Sequence, residues 1–140
     1  DPFYFIEGEI TTFNTFKIDG YLKKEFFEKD DTPSRNFALW KEVREFCFSL
    51  IKGKRTPLNF QFVLGLSDYN IEKLLSQQGL PFQSGDVAGL YLNIKFDGHA
   101  LQCTTGTAMN LFTMDKSLEH AWDQMVQRFF SQKGISYELF

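Results

Sequence analysis

With only two cysteines, Cys47 and Cys103, the 140-residue chain falls far short of the density of a small disulfide-held secreted domain, and neither cysteine belongs to a C-x-x-C pair. We read both as reduced and buried. Histidine is equally scarce: His99 and His120 stand alone, with no H-x-x-H or His-Cys spacing to suggest a zinc site. No apolar run nears the roughly 20 residues needed to cross a bilayer, and no basic start followed by an apolar stretch marks a leader peptide. A cytoplasmic setting without membrane contact is the expectation. Positive charge is in deficit too, 15 Lys and Arg against 18 Asp and Glu. A net charge of −3 argues against coating nucleic acid, which needs a basic face.

Catalytic signatures are missing as well. There is no G-x-S-x-G elbow and no neighbouring Ser-His pair. The stretch CTTGTAMNLFTMDKS, Cys103–Ser117, has a glycine, a lysine and a following helix, but it lacks the paired glycines and Gly-Lys-Ser/Thr ending of a phosphate loop. We expect a hairpin glycine there instead. No fixed-period repeat or low-complexity tract interrupts the chain.

Aromatic mass is what the chain has in quantity: 17 phenylalanines within a 43% apolar composition. Residues of this kind are normally core or interface material. The length suits one α+β domain over residues 1–140, large enough to bury about two-thirds of its unfolded surface. The start, Asp1-Pro2 followed at once by FYFI, leads us to expect that a native N-terminal segment lies upstream.

Along the chain, the aromatic and β-branched first 27 residues predict two or three strands, with turns at Glu7-Gly8 and Asp19-Gly20. EKDDTPSRN, Glu28–Asn36, predicts a surface loop. Apolar residues at Leu39, Val43, Phe46, Cys47, Leu50 and Ile51 have helical spacing, ended by Gly53. PLNFQFVLGL alternates as a strand with one buried face. Ser67 or Asp68 then caps a short helix that buries Ile71, Leu74 and Leu75 and stops at Gly79.

LYLNIKF alternates again, and Asp97-Gly98 turns it back with Phe96 opposite His99 and Leu92 opposite Cys103, which places Cys103 inside. A three-residue loop, Thr105–Thr107, then sets Cys103 opposite Met109 and keeps Met109 and Leu111 on the core face, making a three-strand meander. A last helix from Asp115 buries Leu118, Ala121, Trp122, Met125, Phe129 and Phe130, and ends at Gly134. ISYELF predicts a closing edge strand. The sum is an antiparallel sheet of about five to seven strands, with about three helices packed on one face.

Three groups of side chains are candidates for function. Lys52, Lys54 and Arg55 crowd the end of the first long helix, where cations suit the helix dipole and where an anion or an acidic partner can also be held. Asp115, Glu119 and Asp123 share one face of the last helix, a solvated stripe in the plainer reading and a cation site in the sharper one. Outward Phe13, Phe48 and Tyr91 can mark a partner surface.

The segments ITTFNTFKIDG, LIKGKRTPLNF, LYLNIKFDGHALQCTTGT and FTMDKSLEHAWD together resemble a family of uncharacterised small single-domain proteins from Firmicutes, mostly gut anaerobes. The likeness runs along nearly the whole chain. It implies an additional apolar N-terminal segment and a bacterial cytoplasmic origin. It implies no activity, cofactor or catalytic residue.

The leading expectation is a non-enzymatic domain that binds a protein partner or forms a homo-oligomer. Two alternatives stand beside it. One is an anion or nucleic-acid module using Lys52, Lys54 and Arg55, and the other an enzyme whose site, for example Asp115, Glu119 or His120 beside threonines of the meander, assembles only in the fold. No cofactor or metal is expected.

Overall fold

The computed structural model describes residues 2–139. Six strands and three helices make an α+β fold: β1 (Phe3–Thr11), β2 (Thr15–Asp19), β3 (Ala38–Leu39), α1 (Trp40–Ile51), β4 (Asn59–Leu66), α2 (Asp68–Gln77), β5 (Val87–Phe96), β6 (Leu101–Met109) and α3 (Ser117–Gln132). The sheet is antiparallel with the order β2-β1-β4-β5-β6, and the two-residue β3 pairs with β1. The chain forms two compact units, one running to Ser67 and including Tyr91–Thr104, the other comprising Asp68–Leu90 and the chain from Thr105 onward. β5 and β6 each contribute residues to both.

In the first unit the alternation of β1 and β4 sets the register. Phe5 pairs with Leu64 and Ile10 with Phe60, with a bulge between Phe5 and Glu7; β5 continues the ladder with Phe62 opposite Ile94 and Leu64 opposite Leu92. Opposed residues share a face, so Phe5, Ile10, Phe62, Leu64 and Leu92 are all buried. α1 lies on β1 through aromatic contacts: the Trp40 ring stacks on Phe5 at 5.9 Å and meets Phe62 at 5.6 Å. Cys47 is wholly buried beneath this helix. Glu42 accepts the Leu39 N–H at 2.8 Å, satisfying one of the free donors at the start of α1.

The second unit has its own apolar centre. Ile71, Leu74 and Leu75 of α2, Val87 and Leu90 of β5, and Leu118, Ala121, Trp122 and Val126 of α3 are all buried. α2 ends at Gly79, whose φ of 58° is the left-handed conformation of a helix stop. Gly134, with φ 71°, follows α3 in the same way.

Several expectations need correction. Glu7-Gly8 is no turn: β1 runs through it, and Gly8 is needed because a Cβ there would come within 2.8 Å of the Phe62 ring. The β1–β2 turn is at Thr12–Asn14 instead, closed by the Thr12 N–H to the Asn14 carbonyl at 2.9 Å. Asp19-Gly20 makes no hairpin either; Gly20 extends the pairing by donating to Ile6. On α1, Phe46 is 59% exposed, and Phe48 packs edge-on against Trp40.

The largest correction concerns β6. No loop forms at Thr105–Thr107; the strand passes straight through Gly106, so the three-strand meander is a two-strand hairpin. Its turn closes at Asp97 and Ala100, through the Asp97 N–H to the Ala100 carbonyl, with Gly98 (φ 100°) and His99 between. Cys103 is exposed rather than inside, because it lies on a strand at the end of the sheet order. Leu111 and Phe112 are exposed with it. Residues 135–139 of ISYELF form no strand, and Phe140 lies outside the described residues.

Candidate functional site

β6 is nine residues long, Leu-Gln-Cys-Thr-Thr-Gly-Thr-Ala-Met, with no charged residue and no proline. It ends the strand order, with β5 as its one neighbour among the described residues. An edge strand presents unpaired N–H and C=O groups, and folded proteins usually blunt such an edge with charge, proline or brevity. The other end of the order does so: β2 has five residues, including Lys17 and Asp19, and Asp19 is ion-paired with Lys23 at 3.2 Å. β6 uses none of these devices.

The chain leaving β6 is apolar and outward. Phe112 is 92% exposed and Met114 82%. In the second unit a cavity of about 250 Å³ is walled by Phe82, Met109, Leu111, Phe112 and Leu118, with Lys116 and Glu119, an ion pair at 3.5 Å, also on its lining. Thr105 donates a hydrogen bond to the Asp123 carboxylate of α3. That contact fixes which face of β6 is turned to the helix, since Thr107 and Met109 must follow Thr105 on the same side.

The side chains selected from sequence lie elsewhere or apart. Lys52, Lys54 and Arg55 are exposed in the loop after α1, with the Lys52 ammonium over the Phe48 ring at 5.8 Å. Asp115 accepts the Ser117 N–H at 2.8 Å ahead of α3, Glu119 faces Lys116 and Asp123 holds Thr105, so each carboxylate has a different partner. No group of three or more His, Cys, Asp or Glu suited to a metal occurs among the described residues. His99 and His120 are exposed. Phe13 is fully outward, whereas Phe48 and Tyr91 are half-buried. No described helix is long and apolar enough to cross a membrane.

Sequence reasoning overlooked β6 as a site, although a signal existed. Residues 98–114, between Asp97 and Asp115, form the longest stretch of the chain without an Asp, Glu, Lys or Arg. An assumed turn at Gly106 splits that stretch in two and conceals the single long edge.

No curated protein and no solved structure matches the chain. A family model does match, over residues 1–138, and the chain accordingly belongs to DUF5721, a family of unknown function.

Proposed function

We propose that this domain binds protein, taking an extended segment of polypeptide along the free edge of β6. The observation that carries the reading is the nine-residue edge strand without charge or proline. Strand addition draws affinity from main-chain hydrogen bonds and specificity from pockets that receive alternate side chains. The cavity beside Thr107 and Met109, with Leu111 and Phe112 in its walls, is suited to one such apolar side chain. Two free thiols and the likeness to proteins of gut Firmicutes favour a reducing bacterial cytoplasm as the setting.

Selection of a displayed random peptide library on the protein tests this. Bound peptides should be rich in β-branched and apolar residues, and should lose binding to Thr104→Lys, which puts a charge on an exposed position of the edge. Peptides that bind both forms equally, or no peptides at all from a protein whose β6 edge is free, would overturn it.

A further inference from the structure

Resting on the edge-docking reading, we infer that the strand covering β6 is β6 of a second copy of this chain, paired antiparallel about a two-fold axis at Thr105. Symmetry restricts the possibilities. A two-fold axis that joins two antiparallel strands into one sheet is normal to the sheet, so each residue keeps its face, and odd residues must oppose odd ones. Full overlap of Leu101–Met109 then fixes the register, with Thr105 opposite itself.

The pairs that result are compatible throughout. On the face of Thr105, exposed Leu101 meets Met109 and Cys103 meets Thr107. On the other face Gln102 meets Ala108 and Thr104 meets Gly106. Like charges directly opposed across strands destabilise a pairing, and a strand with no charge meets none in its own copy. Threonine favours strands, and three of the five central positions, Thr104, Thr105 and Thr107, are threonine. The shared ladder is about 30 Å long, from roughly 3.4 Å per residue. A foreign strand would need its own pattern to suit this edge; the chain's own β6 already has it.

The register makes a chemical test available, because Cys103 opposes Thr107 and not itself. Under mild oxidation the Thr107→Cys protein should form disulfide-linked dimers between that new thiol and Cys103 of the second copy. Wild type should form none through the strand, and Thr107→Cys combined with Cys103→Ser should lose the link. Thr105→Cys with Cys103→Ser should link across the axis, which guards against one substitution failing to fold. Light scattering on eluting wild-type protein should give twice 16.3 kDa, halved by Thr104→Lys.

A monomeric mass with no cross-link in either design overturns the second copy as occupant. A dimer that Thr104→Lys leaves intact and neither design links overturns it too, by placing the interface elsewhere. In a monomer, library peptides that bind wild type and not Thr104→Lys would still support edge docking, and their absence would remove both readings together.

Discussion

Gly20 is confined by its neighbours and not by its own torsions. A Cβ there would sit 1.9 Å from the Phe5 carbonyl oxygen, while its N–H donates to Ile6 and its carbonyl accepts from Ala38. Backbone is what it would strike, so no rotamer change relieves the clash. Gly20→Ala should cost about 3 kcal/mol, the upper end of overpacking, whereas Gly79→Ala, strained in φ alone with nothing within 4 Å, should cost about 1–2 kcal/mol. Urea midpoints of the two variants test the order, and equal losses would refute the steric account. The cysteines differ in the same local way. Burial pushes the Cys47 thiol up to about 11 and raises the Cys103 thiol as well, but Cys103 is exposed to solvent whereas Cys47 is wholly buried. Alkylation of native protein should modify Cys103 and spare Cys47 until unfolding. Because the raised thiol stays protonated in the fold while the unfolded one ionises from about 9.0, stability should decline between pH 9 and 11. That decline should be smaller in Cys47→Ala, and an identical decline in both would locate its cause elsewhere.

At the scale of elements, the β5–β6 turn depends on one carboxylate. Asp97 accepts the N–H groups of Ala100 at 2.9 Å and His99 at 2.8 Å, and these bonds, Ala100 first, hold its pKa below the ordinary value of 3.8. A depressed carboxylate contributes stability above its unfolded pKa and loses it as pH falls through the folded one. Asp97→Asn should therefore be less stable than wild type at pH 7, with the gap narrowing as pH falls below 3.8; a gap that stays constant in acid would show that charge is not its source. The legibility of elements divides along the same physical line. α1, α2 and α3 are readable because a helix repeats its apolar face every three or four residues whatever surrounds it. β4 and β5 are readable because one face of each is buried. β6 is not, since alternation loses its meaning on an edge strand whose sides are both partly wet, and Gly106 then imitates a turn. Gly8 misleads for the opposite reason: its glycine answers to the Phe62 ring, a contact 54 residues away that no local pattern announces. The candidate site was hidden by the same misreading of Gly106, while Lys52, Lys54 and Arg55 stood out only because they cluster in sequence.

Across the described residues, the ion pairs seen contribute little and apolar burial much. The described residues show three salt bridges. Asp19–Lys23 and Lys116–Glu119 are more than half exposed on nearly every side chain, and such pairs are worth about 0–1 kcal/mol. Arg35–Glu42 is the exception: at 2.9 Å, with the Arg35 side chain 19% exposed, its guanidinium also donates through Nε to the Phe37 carbonyl at 3.2 Å, tying the loop after β2 to the start of α1. By contrast Trp122 is 1% exposed and Phe5 0%, and truncating a buried aromatic side chain to alanine costs about 3–5 kcal/mol. Raising sodium chloride from 0.05 to 0.5 M, which shortens the Debye length from roughly 14 Å to about 4 Å, should therefore move the urea midpoint very little. Lys23→Ala and Lys116→Ala should each fall within about 0.5 kcal/mol of wild type, Arg35→Ala should lose about 1–2 kcal/mol through its charge-assisted hydrogen bonds, and Trp122→Ala should exceed all three. A midpoint that drops steeply with salt, or a Lys23→Ala loss as large as that of Trp122→Ala, would show that surface charge holds this fold in a way its geometry does not express.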